Sequence, residues 1–309
     1  MRQEAGVRSL YGESTGRTPE AVTQVSEHDV FRLLSPEVDP LPILVEVPHA
    51  GLAIPEALAG ELSAPLDSRM RVADLYVDQL CAGVVAAGAT LLVANCSRYV
   101  VDLNRAEDDL RILEPGGRPG RAALSTTKGG DKVWSLRNQG VVWLRDMEGR
   151  DLHRHRPNAA TIQRRLAHYY LPYHRVLEET LRDMRARFGY ALLIAAHSMP
   201  SQRALGLGPE MALADVVPGT RGRTSASGQW IDAVDHFFRA RGCSLRHDYP
   251  YAGGWSVEKY GRPQEQMHAI QIELNRALYM DESDCRPLEG AFESLEHTLS
   301  DLIAHLAEV

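Results

Sequence analysis

Three short tracts of branched apolar residues limit what this chain can form: PILVEV over 42–47, ALLIAA over 191–196 and MHAIQIEL over 267–274. Each is shorter than an ordinary helix and rich in Val, Ile or Leu, which reads as a buried strand. Helical patterns separate them. In 67–89, Val72, Leu75, Val77, Leu80, Val84 and Val85 recur at spacings near three and four. That predicts one amphipathic helix with Asp74 and Asp78 on a single face. Thr161 to Phe188 has the same period, with Pro172 set to kink or divide it. GQWIDAVDHFFRARG is a helix stopped by Gly242, and the closing helix carries Pro287 in its first turn. ATLLVANCSRYVVDLNR (89–105) reads as a strand, a break at Asn95 to Ser97, and a second extended run ending in Asp102, Asn104 and Arg105.

The order is strand, helix, strand, strand, helix, strand, helix, strand, helix. It predicts an α/β fold: a mixed, mostly parallel central sheet with helices on both faces. Residues 1–25 are polar without a period and read as a flexible N-terminal arm; 26–309 read as a single domain. Residues 106–140, rich in Gly, Pro and charge, read as a functional or disordered loop.

Composition excludes several classes. A net charge of −7 leaves no basic footprint for nucleic acid. No apolar run approaches the roughly 18 residues of a membrane span, and the N-terminus has no apolar core of a secretory signal. Cys81, Cys96, Cys243 and Cys285 are dispersed, as reduced thiols would be, and the cytoplasm is the expected compartment.

The chemistry lies where the strands stop. His49, His197 and Glu273 each follow an apolar tract. In open α/β sheets, ligands bind beyond the carboxyl ends of strands, so three side chains distant in sequence can converge. Two neutral imidazoles and a carboxylate suit a catalytic zinc site with one position left for water, and a nearby carboxylate can take that water's proton. The alternative is a pair of hydrogen-bonded structural histidines and a loop-facing glutamate. Arg98 and Arg105 flank an extended segment and suit an acidic substrate, through the forked guanidinium–carboxylate contact. Asp102 is set either to accept a hydrogen bond from a ligating histidine or to hold Arg98.

The motifs VPHAGLAIPE, DLYVDQL, SRYVVDLNR, AAHSMPS, YPYAGGW and QIELNRALYMDE, in that order, resemble the N-formylglutamate amidohydrolase family over about residues 30 to 305. The resemblance implies a phosphorylase/hydrolase-like, zinc-carboxypeptidase-like fold holding one Zn2+ per chain. It implies that His49 and His197 are metal ligands and Glu273 the general base. It implies that Arg98 steadies the oxyanion and that Asn104 and Arg105 bind a substrate carboxylate. Carboxypeptidases carry a glutamate three residues after the first histidine; here that residue is Leu52. Asp74, in the segment resembling the family's aspartate-bearing stretch, is the expected third ligand, ahead of Glu56, with Asp78 beside it as a supporting residue. The chain departs from the family at Ala50, at Trp255 and Ser256, and in GRTSASGQW, which lacks the usual Cys-Asp-Pro. The implied activity is hydrolysis of the amide of an N-formyl or N-acyl acidic amino acid. A carboxypeptidase or deacylase acting on another N-acyl compound, and an inactive ligand-binding homologue, are the alternatives. His153 and His155 read as a solvated basic loop, His174 as packing or catalytic, and Tyr249 and Tyr251 as a loop over the substrate.

Overall fold

The computed structural model describes residues 30–109, 139–201 and 213–309, with the backbone of two short strands, β4 (Leu124–Thr126) and β5 (Lys132–Trp134). The expected arm at 1–25 and most of the loop expected at 106–140 lie outside the described residues.

Six strands form one sheet in the order β1-β3-β2-β6-β8-β7. They are β1 (Phe31–Leu34), β2 (Ile43–Val47), β3 (Thr90–Ala94), β6 (Ala191–Met199), β7 (Val216–Gly219) and β8 (Met267–Asn275). The four central strands run parallel, and β1 and β7 close the edges antiparallel. The sheet is therefore mixed and mostly parallel, as the alternation of strands and helices predicts. The two edge strands were not legible: each has four residues, and Pro218 in β7 is tolerated because an edge strand need not donate on its outer side.

Alternate residues of the central strands face different helical layers. Val45, Val47, Ile194, Ala196, Ile270 and Ile272 pack with α2 (Val77–Leu80), α5 (Gly228–Ala240) and α7 (Ala291–Ala307). Leu44, Leu193, Ala195 and Ala269 pack with α3 (Ala159–Arg165), α4 (Leu171–Phe188) and α6 (Trp255–Tyr260). The pleat assigns Glu46, His197, Gln271 and Glu273 to this second face. At its carboxyl end that face turns polar, while the first stays apolar but for Ser198.

Three helical expectations change. The helix expected over 67–89 is broken: α1 (Leu66–Val72) ends before Asp74, and Tyr76 adopts φ 66° before α2 begins. Asp74 and Asp78 therefore share no helical face. Pro172 lies in the first turn of α4, after a wide π-turn over Leu166–Tyr170 that separates it from α3. The closing helix begins at Ala291, after Gly290, whose N–H donates to Glu293 at 2.7 Å; Pro287 belongs to a two-residue strand, Arg286–Pro287.

Candidate metal centre

His49 lies two residues past β2, Asp74 in the break between α1 and α2, and His197 on β6. All three are buried, and each offers one ligand atom within 4.8 Å of the others. The histidines turn their Nδ1 atoms toward one carboxylate oxygen, Asp74 Oδ2, at 3.6 Å from His49 and 2.9 Å from His197. His49 Nε2 donates to Asp102 Oδ1 at 2.8 Å. That bond puts the proton of a neutral ring on Nε2 and leaves the Nδ1 lone pair facing a carboxylate, with no hydrogen-bond partner. Two buried acceptors facing each other repel unless a proton or cation lies between them. Two imidazole nitrogens and one carboxylate oxygen are a donor set for a borderline divalent cation, so the residues fit a metal.

Asp102 makes both of the contacts the sequence leaves open, one to His49 and one to Arg98. Oδ1 accepts from His49 and from the Asn104 N–H at 3.0 Å; Oδ2 accepts from Arg98 Nη2 at 2.7 Å and Trp143 Nε1 at 3.0 Å. Burial alone would raise its pKa, but Arg98 and His49 hold it well below the usual carboxylate range. For Asp74, too, burial is outweighed, chiefly by the hydrogen bond from His197, and its pKa is lowered. Burial opposes the charged form of Arg98, but Asp102 and Asp74 raise its pKa. Its Nε is buried without a partner.

Glu273 stands opposite His197 in the β6–β8 register. Burial pushes its carboxyl up to about 7, against the pull of His197. Both strands run two residues past these side chains, so His197 and Glu273 sit on the sheet itself, whereas His49 and Asp74 lie in the segments beyond it.

Several expected residues take other places. Asn104 is engaged inside the fold: Oδ1 accepts from the Ser256 N–H at 3.1 Å, and Nδ2 lies 3.2 Å from His197 Nε2 and 3.3 Å from Gln271 Oε1. Its carboxamide packs so closely on Gly254 that a Cβ there would overlap it. Arg105 keeps 35% of its side chain exposed, with Nε 4.0 Å from Asp102. Asp78 pairs with Arg32 on β1 at 3.2 Å, because the broken helix turns it toward the sheet edge. Glu56 is exposed at the start of a short 3-10 turn, outside the group of three. Arg98 starts a turn, not an extended run. His153 is not solvated: it is half-buried, with Nε2 donating to the Trp143 carbonyl at 2.8 Å. His174 is a packing residue, held by Tyr260 at 2.9 Å and donating to the Leu103 carbonyl at 3.0 Å; burial lowers its pKa to about 3. Ser198 points to the other face of the sheet and accepts from Arg276 Nε at 3.1 Å. The four cysteines are free thiols.

Three buried residues went unnoticed in the sequence. Arg276 Nη2 donates to the Ala73 carbonyl at 2.7 Å and lies 3.7 Å from Asp74 Oδ1, pinning the segment that carries Asp74. Gln271 donates to Glu273 at 2.7 Å. Glu46 is fully buried on β2 and accepts from Tyr173 at 3.0 Å; burial raises its pKa. A charged or amide residue at the alternate positions of ILVEV and AIQIEL was the available signal.

Fold and site together define an α/β protein with a candidate metal centre at the carboxyl edge of a mostly parallel sheet. The chain belongs to the N-formylglutamate amidohydrolase family, whose model matches residues 41–280. It is similar to the N-formylglutamate deformylase of Pseudomonas aeruginosa, with 31% identity over 256 residues, covering 78% of this chain and 83% of the relative. The N-formylglutamate deformylase of Pseudomonas putida is 29% identical over 248 residues, covering 79% and 84%. Among solved structures, the N-formylglutamate amidohydrolase of Ralstonia eutropha JMP134 superposes with a TM-score of 0.75 at 30% identity, covering 90% of this chain and 97% of that one. Among the described residues, no helix is long and apolar enough to cross a membrane.

Proposed function

We propose that this chain is a zinc-dependent amidohydrolase that cleaves the formamide bond of an N-formyl acidic amino acid such as N-formyl-L-glutamate. One observation carries the reading: a buried His49–Asp74–His197 group with an unpartnered imidazole lone pair, beside a carboxyl in Glu273 whose pKa is raised to about 7. The names of relatives about 30% identical over most of the chain support the substrate class.

His49, Asp74 and His197 would hold the zinc ion. Bound there, it supplies a Lewis acid for the substrate carbonyl and acidifies water to near neutrality. Glu273 takes the proton of the attacking water and returns it to the leaving amine. Arg98 would steady the developing oxyanion, its orientation set by Asp102 and by the Trp143 ring, 4.9 Å from the guanidinium carbon. Arg105, partly exposed, forks onto a substrate carboxylate. Asn104 braces His197 and Gln271 and does not itself reach substrate, since its carboxamide is already engaged.

The test is turnover of N-formyl-L-glutamate, with N-acetyl and peptide analogues beside it, before and after metal removal. Glu273→Gln is expected to keep the metal and lose about 10²- to 10⁴-fold in turnover. Full activity after complete metal removal, or in Glu273→Gln, would overturn the reading.

A further inference from the structure

Gln271 precedes Glu273 by two residues on β8, so the pleat turns both to the same face; Gln271 is 3% exposed. Its carboxamide has a defined orientation because one neighbour can only donate. The Gly254 N–H reaches Gln271 Oε1 at 2.8 Å, and Asn104 Nδ2 gives the same oxygen a second bond at 3.3 Å. The amide nitrogen therefore faces Glu273 and donates to its Oε1 at 2.7 Å. One oxygen of Glu273 is held by this bond, and the other remains to take a proton.

We propose that Gln271 is a positioning residue that keeps Glu273 a proton acceptor and prevents it from becoming a fourth metal ligand. The inference rests on the proposed zinc hydrolase reading. Glu273 stands in register with His197, a ligand candidate one strand away, yet it is not in the group whose ligand atoms lie within 4.8 Å of one another. A cation beside it would attract its carboxylate, and a fourth protein ligand would turn an open catalytic site into a closed structural one. The bond from Gln271 opposes that swing. It is anchored through Gly254 to the 250–254 loop and through Asn104 to the loop beyond β3, so the acid is held by two separate segments.

The test compares Gln271→Met with Gln271→Glu. Methionine keeps the bulk and removes every hydrogen bond. Glutamate keeps the acceptor for Gly254 and Asn104 and, when ionised, faces Glu273 with a carboxylate oxygen in place of the amide donor, which guards against a variant that fails to fold; it is assayed at alkaline pH, above the range in which the two carboxyls share a proton. Both are expected to lose about 10- to 100-fold in kcat with KM nearly unchanged, the range for outer residues of metal sites. Both are also expected to release their metal to a chelator more slowly than the wild type, and their cobalt-substituted forms to show the weaker visible absorption of a higher coordination number. Wild-type kcat and metal release in Gln271→Glu would overturn the proposal. So would a fall in kcat accompanied by faster metal loss, which would make Gln271 a brace for the ligands. Glu273→Gln is measured alongside: if it stays active, the proposed function fails, whereas an inactive Glu273→Gln beside an unaffected Gln271→Glu removes only this inference.

Discussion

Asp102→Asn changes charge with almost no change of shape, and the surroundings of Asp102 turn that into a large cost. Four donors meet its two oxygens: His49 Nε2 and the Asn104 N–H on one, Arg98 Nη2 and Trp143 Nε1 on the other. Asparagine has one acceptor oxygen. Turned one way, its amide nitrogen confronts Arg98 and the indole; turned the other way, it confronts His49 and the Asn104 N–H. Either orientation strands two buried donors at about 1–3 kcal/mol each. Arg98 also loses its closest counter-charge, and breaking a buried pair costs about 3–5 kcal/mol. The two costs overlap, so the expected loss is about 3–5 kcal/mol, a large share of a total stability of about 5–15 kcal/mol. Urea unfolding of the metal-free protein measures it. Metal affinity should fall about 10- to 100-fold, since the proton on His49 Nε2 is no longer fixed, and a competing chelator reads that separately. A stability loss under about 1 kcal/mol with unchanged metal affinity would refute the reasoning.

Arg105→Ala is expected to raise KM for acidic N-acyl substrates about tenfold or more and to leave neutral analogues nearly unaffected; equal effects on both would remove Arg105 from carboxylate binding. Glu46 makes a prediction about pH. Its folded pKa is raised by burial above the unfolded value, so the folded chain holds the proton more tightly and stability falls as pH rises from about 4.5 through the raised folded pKa. Glu46→Gln removes that dependence, so the metal-free variant should gain on the wild type between pH 5 and pH 8; parallel stability curves would contradict it.

The elements that could be read in the sequence are those whose signal is local. The apolar tracts ending near His49, His197 and Glu273 identify strands because burial on both sides demands such tracts, and a sheet brings their carboxyl ends together whatever the sequence separation. Asp78 was misplaced because an i, i+4 argument requires an unbroken helix. The break at Ala73 to Tyr76 is stabilised from more than 200 residues away, by Arg276 on the Ala73 carbonyl and by Tyr279, whose hydroxyl donates to the Leu75 carbonyl at 3.0 Å. The internal contacts of Asn104 could not be read from the sequence because its partners, Ser256, Gln271 and His197, come from three distant segments. Glu46 and Gln271 passed as exceptions within apolar strands. Their alternation with the core was visible, but which side of the sheet held the chemistry depended on the strand register.

That two-sided sheet acts as a sorting rule for variation. Along β8, positions 271 and 273 face the side of the candidate metal centre, whereas 270, 272 and 274 are sealed under α5 and α7. Neighbouring residues in one strand thus answer to separate demands. Under the proposed function, changes at 270, 272 and 274 will show up in melting and expression, changes at 271 and 273 in turnover, and the chain can drift on one side of its own backbone while the other stays fixed.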